Sequence, residues 1–270
     1  MTTAAVQARS PRLSGPAWLI DNVGTVTWRN LHRLVRVPTL IVFATVQPVL
    51  FVLLFTYTFG GAVQPPGVQR YVDYLLPGIF VLAIGFGASQ TGVAIADDLT
   101  NGMIDRFRSL PMTRSAVLAG RTVADAVRNL FVLGLMTSIG YAIGFRFHAG
   151  AAAALAAIGL AIAVGVLLSW VNALIGLLVR DPEAAGLAGL LPVILLTFTS
   201  STFVPVDTMP GWLQAFAKVN PVTVTVDAMR ALSLGGPTAS HLWPALAWIV
   251  GLLSLAIPAA VASYRHTTKT

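Results

Sequence analysis

The sequence predicts an all-α integral membrane protein, and three observations support that class. The chain of 270 residues is 56% hydrophobic and only 10% charged, whereas a soluble domain is about 25% charged. Apolar runs that approach the ~20 residues needed to cross a bilayer recur along it. The charges concentrate in residues 97–128, which hold five of the 17 basic and four of the 10 acidic residues. We therefore interpret residues 1–270 as a single transmembrane domain.

The first 37 residues are more polar than the rest of the chain. Residues 1–16 are rich in small and polar residues, and we expect them to form a disordered tail. Residues 17–37 place apolar side chains on one side of a helical wheel and arginines on the other. This pattern predicts a helix lying in the membrane interface, but an amphipathic helix packed on a soluble core would also show it. The residues that mark the interface are Trp28, Arg29, Arg33 and Arg36.

Six apolar runs between residues 39 and 264 are the predicted membrane spans. The fourth is longer than a bilayer requires, and we expect it to tilt or to project from the membrane. The six spans are Thr39–Phe59, Tyr74–Ala96, Val123–Phe145, Ala149–Val179, Ala184–Phe203 and Leu242–Tyr264.

The distribution of basic residues predicts the orientation of these spans. With the N-terminus in the cytoplasm, thirteen basic residues fall on the cytoplasmic side and four on the other, so both termini are predicted to be cytoplasmic. The only lysines are Lys218 and Lys269, so arginine supplies the other fifteen of the 17 basic residues. That bias is typical of a GC-rich bacterial genome, and the membrane is therefore predicted to be a bacterial inner membrane.

The segment between the fifth and sixth spans, residues 204–236, is too apolar for a solvated loop and too interrupted for a span. Proline and an Asn-Pro pair predict two short helices, and a Gly-Gly pair ends the second. The two helices form either a re-entrant hairpin on the extracellular side or a cap lying flat on the membrane. The residues assigned to this hairpin are Pro210, Trp212, Asn220, Pro221, and the i,i+3 ion pair Asp227 and Arg230.

The central charged segment contains an apolar stripe at helical spacing, with Thr100 as a plausible N-cap and Pro111 as a stop. Pairs at Arg121–Asp125 and Asp125–Arg128 predict that the third span begins as a charged helix before it enters lipid. The stripe either docks into a groove of a soluble partner or rests on lipid. The residues of interest are Asp97, Asp98, Leu99, Met103, Arg106, Phe107, Leu110 and Arg114.

Several chemistries are excluded by what the sequence lacks. There is no cysteine, no clustered histidine and no lysine after a glycine-rich loop, so we expect no catalytic residue, no metal site and no bound nucleotide. No charged residue lies near the centre of a predicted span, which disfavours an ion-coupled transporter. The net charge of +7 fits loops facing an anionic leaflet, and we expect no nucleic-acid partner.

Neutral polar residues do occur inside the predicted spans. Ser89, Gln90 and Thr91 lie in the second span, and a Thr/Ser run at 197–202 ends the fifth. They either line a transport path or form hydrogen bonds between helices.

Three stretches together carry a family resemblance: YLLPGIFVLAIGFGASQTG (Tyr74–Gly92), DDLTNGMIDRFRSLPMTRSAVLAGR (Asp97–Arg121) and FVPVDTMPGWLQAFAKVNPVTVTVDAMRAL (Phe203–Leu232). With them the chain resembles, over nearly its whole length, the membrane subunit of type-2 ATP-binding-cassette exporters in the daunorubicin-resistance permease group. The resemblance implies an interfacial N-terminal helix, six spans, a cytoplasmic coupling helix after the second span and a re-entrant hairpin before the last. The acidic residue common near the start of the family's coupling segment appears here as Asp97-Asp98.

The resemblance also implies the partners. A separate ATPase subunit, which holds ATP and magnesium, would bind at Asp97–Arg114, and two permease chains would pair with two ATPases. We expect the chain, which is not itself an enzyme, to export an amphipathic drug or lipid-like, hydrophobic substrate from the cytoplasm or inner leaflet. The alternatives are a secondary transporter or channel without an ATPase, and an exporter of polysaccharide or glycolipid.

Overall fold

A computed structural model of the chain describes residues 38–101 and 114–267, besides Gly24, and no strand occurs in those ranges. The predicted tail, the interfacial helix with Trp28, Arg29, Arg33 and Arg36, and most of the predicted coupling stripe with Arg106 lie outside the described residues. The helices are α1 (Pro38–Phe59), α2 (Tyr71–Thr100), α3 (Arg114–Ala142), α4 (Ala151–Val179), α5 (Pro182–Phe198), α6 (Gly211–Val219), α7 (Pro221–Leu234) and α8 (Thr238–Thr267), with a 3₁₀ turn at Val206–Thr208.

Four of these helices, α2, α3, α4 and α8, are long and apolar enough to cross a membrane. The Thr45–Phe59 part of α1 and the whole of α5 are also apolar but shorter. Large apolar side chains cover outward faces of the bundle; Phe131 is 59% exposed and Leu255 is 69% exposed. Such faces are stable in lipid and costly in water, so the chain is a multi-pass membrane protein.

Two predicted spans end earlier than the apolar pattern suggests. The third was expected to reach Phe145, but α3 stops at Ala142 because Gly144 adopts a left-handed φ of +107°. The fifth was expected to reach Phe203, but α5 stops at Phe198. Beyond it the hydroxyl of Ser200 donates to the carbonyl of Thr197, and the chain turns.

α2 is the central helix of the bundle and packs against α1, α3, α4, α5 and α7. Every residue from Tyr71 to Gly85 is buried, because the sequence there is apolar on all sides except at Asp73, whose Oδ1 accepts a hydrogen bond from the Arg146 amide. Close contacts to its neighbours pass through glycine: a Cβ on Gly176 of α4 would collide with the carbonyl oxygen of Gly92 on α2. Glycine at both positions therefore lets the backbones of α2 and α4 touch directly.

Two short helices lie where the sequence predicts them, joined by a single residue. Asn220 follows α6 and caps α7, because its Oδ1 accepts a hydrogen bond of 2.8 Å from the Val222 amide. Its Nδ2 donates to the carbonyl of Leu196 on α5 over 2.8 Å. Pro221 takes the first helical position, and Gly235, with φ +91°, ends α7. α7 packs between α2, α4, α5 and α8, whereas α6 lies outside them, with Trp212 76% exposed.

Candidate functional site

The predicted coupling segment connects α2 to α3 in the chain, and an ion pair joins these two helices. Asp98 Oδ2 lies 3.1 Å from Arg121 Nη1, with the two side chains only 13% and 12% exposed. Asn101 Nδ2 donates to Asp97 Oδ1 over 2.9 Å. The spacing in the sequence predicted an ion pair between Arg121 and Asp125. This prediction is wrong, because Asp125 faces the bundle interior.

The start of the predicted coupling helix also differs from expectation. α2 continues through Leu99 to Thr100 because nothing between Ala96 and Thr100 breaks the helix. The Thr100 hydroxyl donates to the carbonyls of Ala96 and Asp97, and Thr100 is the last residue of α2; the helix that it was predicted to cap lies outside the described residues. Leu99 packs against a core formed by α2, α4 and α8. Met103, Phe107 and Leu110 lie outside the described residues, as does the side chain of Arg114.

A group of polar side chains from α2, α3 and α4 meets inside the bundle. Asp125 Oδ2 accepts hydrogen bonds from the hydroxyls of Thr91 and of Ser169, the latter over 3.1 Å. Asp125 Oδ1 lies 3.2 Å from Arg128 Nη1. Two buried asparagines lie about one helical turn along the same helices, Asn129 four residues after Asp125 on α3 and Asn172 three residues after Ser169 on α4. We call the group the Asp125 cluster; its members are Asp125, Arg128, Thr91, Ser169, Asn129 and Asn172.

Helix geometry places the Asp125 cluster well inside the bundle. At 1.5 Å per residue, Asp125 lies about 16 Å from the start of α3, and Ser169 about 15 Å from the end of α4. The part of α3 that is long and apolar enough to cross a membrane, Ala119–Ala142, therefore includes the charged residues of this cluster. The sequence predicted that Asp125 and Arg128 lie at the charged start of the third span, before it enters lipid. The structure instead encloses the ion pair between α2 and α4, because hydroxyls on those helices bond the carboxylate.

A second buried ion pair fixes α7 to the rest of the bundle. Arg230 Nη1 bonds Asp227 Oδ1 at 2.8 Å, which is the predicted i,i+3 pair. Nη1 also donates to the Ser201 hydroxyl (3.0 Å), and Nε and Nη2 donate to the carbonyls of Tyr74 (2.9 Å), Ser201 (2.7 Å) and Thr202 (3.1 Å). The guanidinium carbon also lies 3.5 Å from the centroid of the Tyr74 ring. We call these five residues the Arg230 site.

The two sites show which polar residues act within the bundle and which signals could have found them. The sequence left open whether Thr91 lines a transport path or bonds another helix. In the structure its hydroxyl donates a hydrogen bond to Asp125. The carbonyls of Ser201 and Thr202 accept hydrogen bonds from Arg230, which explains why polar residues end the fifth apolar run. An arginine in an apolar segment indicates that carbonyl acceptors are close, but the sequence does not show which carbonyls they are. Among the described residues, no group of three or more histidine, aspartate or glutamate side chains could hold a metal ion.

Comparison with known proteins identifies the family. The profile of the ABC-2 type transporter family matches residues 21–234. The daunorubicin resistance ABC transporter permease protein DrrB1 of Streptomyces coeruleorubidus is 31% identical over 242 residues, covering 90% of this chain and 85% of that protein. The doxorubicin resistance ABC transporter permease protein DrrB of Mycobacterium tuberculosis is 32% identical over 237 residues, 80% of each chain.

A more distant relative extends the comparison beyond bacteria. The putative transport permease ycf38 of Cyanophora paradoxa is 24% identical over 220 residues, covering 80% of this chain and 75% of that protein. The family profile spans most of the chain, and a relative above 30% identity aligns with 90% of it. This chain therefore belongs to the ABC-2 type transporter family, as a permease component.

Proposed function

We propose that this chain is the membrane subunit of an ATP-driven exporter that moves amphipathic drugs or lipid-like molecules out of the cytoplasm or inner leaflet. The observation that carries the proposal is the alignment, over most of its length, with permeases named for resistance to daunorubicin and doxorubicin. A drug pump protects the cell by lowering the internal drug concentration, so resistance fits export rather than uptake.

The proposed topology has six membrane crossings, made by α1 to α5 and α8, with both termini in the cytoplasm. The excess of basic residues on the side of residues 97–128 supports this orientation. Residues 17–37 lie in the cytoplasmic membrane interface. α6 and α7 enter and leave the outer leaflet as a re-entrant hairpin, for which the burial of α7 and the exposure of Trp212, an interface-seeking residue, provide support.

ATP hydrolysis is assigned to a separate subunit that binds ATP and magnesium and docks on residues 97–114. The Asp98–Arg121 ion pair supports this assignment, because it ties α2 to α3, the two helices that the docking segment connects in the chain. A push on that segment then moves both helices together and reaches the central helix of the bundle. A second permease chain completes the transporter, and the exposed apolar face of α5 around Leu191 provides an apolar surface for it or for lipid.

Truncation of Phe107 tests the docking assignment. If Phe107 anchors the coupling stripe in a groove of the ATPase, Phe107→Ala removes about 2–4 kcal/mol of binding free energy, which weakens association roughly 30- to 1000-fold. Co-purification of the ATPase with tagged permease measures this. Arg108→Ala, a change off the stripe in the same segment, is the matched control. Equal ATPase recovery and equal transport with Phe107→Ala would remove this segment as the docking site.

Cysteine labelling tests the topology, since the natural chain has no cysteine. A single cysteine at Thr113 is expected to react only with reagents that reach the cytoplasm. One at Thr208, in the turn before α6, is expected to react with an impermeant reagent added outside the cell. Labelling of both positions from the same side would contradict the six-span arrangement.

A further inference from the structure

Two asparagines of the Asp125 cluster carry polar atoms without a hydrogen-bond partner. Asn129 is 2% exposed and its Nδ2 is unpaired; Asn172 is 1% exposed and its Oδ1 is unpaired. A buried polar atom without a partner costs free energy, so native proteins contain few of them and those few commonly serve a function. One orphan is a donor and the other is an acceptor.

The two orphan atoms flank the Asp125 carboxylate along the bundle axis. Asn129 is four residues after Asp125 on α3, and its Nδ2 lies against Gly165 of α4, where an added Cβ would approach it to 2.6 Å. Asn172 lies three residues after Ser169, which bonds Asp125. Gly165 and Asn172 are seven residues apart on α4, which separates the two amides by about 10 Å.

The charges between the two amides are already neutralised. Arg128 lies 3.2 Å from Asp125 Oδ1, and the hydroxyls of Thr91 and Ser169 occupy Oδ2. The cluster therefore presents one free donor and one free acceptor, with no free charge, in an otherwise apolar interior. A site of this kind selects neutral hydrogen-bonding groups over ions.

We propose that the Asp125 cluster binds the polar groups of the transported molecule, with Asn129 donating to a carbonyl or hydroxyl oxygen and Asn172 accepting from a hydroxyl or N–H group. The ligand class is an apolar framework about 10 Å long that carries neutral donors and acceptors. This inference rests on the proposed export function and adds the residues that recognise the substrate.

The described conformation is closed at this site. A Cβ on Gly189 of α5 would collide with Asn172 Oδ1, so no space for a ligand remains between α4 and α5 there. Ligand entry therefore requires α4 to move from its neighbours, and bound ligand would pair the two orphan amides.

Substitution of each asparagine by the similarly shaped leucine tests the proposal on the purified permease–ATPase complex in nanodiscs. Daunorubicin is the probe, because it is fluorescent and its fused rings carry the neutral carbonyl and hydroxyl groups that the two amides would bind, while its charged amino group is on the sugar, outside the fused rings. We expect Asn129→Leu and Asn172→Leu each to weaken daunorubicin binding about 5- to 100-fold, since each removes one hydrogen-bonding partner. The melting temperature of the drug-free complex is expected to rise or stay constant, because each change removes an orphan polar atom.

Thr137→Val is the matched control. Thr137 Oγ1 is another buried orphan on α3, but it lies eight residues beyond Asn129, about 12 Å away. This change is expected to leave the Kd for daunorubicin unaltered. If leucine prevents assembly, Asn129→Ala and Asn172→Ala, which cannot overpack, make the same comparison.

Weaker binding without loss of stability supports the assignment. Wild-type Kd values in the asparagine variants would show that the orphan atoms meet only water, and would overturn this inference alone. Parallel loss of stability and binding in the alanine variants would assign a structural role and also overturn it. No daunorubicin binding by the wild-type complex would overturn both this inference and the proposed drug export.

Discussion

The Arg230 site and the Asp125 cluster each contain an arginine paired with an aspartate three residues before it on the same helix. They differ in how completely their polar atoms are bonded. Arg230 uses Nε and both terminal nitrogens, with five hydrogen bonds of 2.7–3.1 Å. In the Asp125 cluster the carboxylate is bonded, but the neighbouring amides of Asn129 and Asn172 are not fully paired.

This difference separates a structural site from an adaptable one. Fully bonded networks hold one arrangement, because any displacement leaves several carbonyls without donors. A partly bonded network loses little when its helices move and gains when a ligand supplies the missing partners. We infer that α7 keeps its place on α2 during transport, while α3 and α4 change their contacts around Asp125.

The largest effect is expected from Arg230→Met. The change removes the donors that Arg230 gives to the carbonyls of Tyr74, Ser201 and Thr202 and leaves Asp227 without its counter-ion, so we expect about 3–5 kcal/mol of destabilisation. Thermal unfolding of the purified permease in detergent measures it. Arg230→Lys keeps the charge but cannot reach all the acceptors, and is expected to recover less than half of the loss. Wild-type melting of Arg230→Met would show that the site is not structural.

A smaller loss of stability is expected from a substitution at Asp125, and a second substitution is expected to restore most of it. Asp125→Leu leaves Arg128 without its carboxylate and frees the Thr91 and Ser169 hydroxyls, at a cost of about 2–3 kcal/mol. The double change Asp125→Leu with Arg128→Leu is expected to recover most of that loss, because an apolar pair can replace a buried ion pair.

The same double change at the other site, Asp227→Leu with Arg230→Met, is not expected to recover, since the backbone carbonyls still lack the donors that Arg230 supplied. Melting temperatures of the single and double variants make the comparison. Equal recovery at both sites would contradict the distinction between them.

The smallest effect concerns the glycine contact that brings α4 onto α2. A Cβ at Gly176 would meet the backbone of Gly92, which cannot yield easily, so Gly176→Ala is expected to cost about 1–3 kcal/mol. Gly159→Ala on the same helix meets nothing within 4 Å and is expected to gain about 0.5–1 kcal/mol. A reversed order of the two melting temperatures would show that α2 and α4 do not pack through glycine.

The helices around α7 were predictable because local chemistry determines them. The Asn220-Pro221 pair, the Gly235-Gly236 pair and the Asp227–Arg230 spacing act within a few residues, and each gave the observed cap, end or ion pair. The all-helical class followed from composition in the same way, since apolar runs of bilayer length fold only as helices or closed barrels.

The Asp125 cluster was not predictable because its contacts join residues that are distant in sequence. Thr91 and Asp125 are 34 residues apart, and Ser169 and Asp125 are 44 apart. Local spacing made Arg121 a partner for Asp125, but the rotation of α3 in the bundle turns Asp125 inward and Arg121 toward Asp98. Only tertiary packing fixes that rotation, so the sequence could name the charged residues but not their partners.

The Arg230 site also sets an order for biogenesis. All partners of Arg230 precede it in the chain, the earliest being Tyr74, 156 residues before. At the usual 5–20 residues per second, the ribosome makes Tyr74 about 8–30 s before Arg230. The arginine therefore emerges when its acceptors already exist, with Asp227 synthesised just ahead to neutralise it. Arg230 can therefore reach its buried position before α8 leaves the ribosome, and α8 then packs against helices that are already in place.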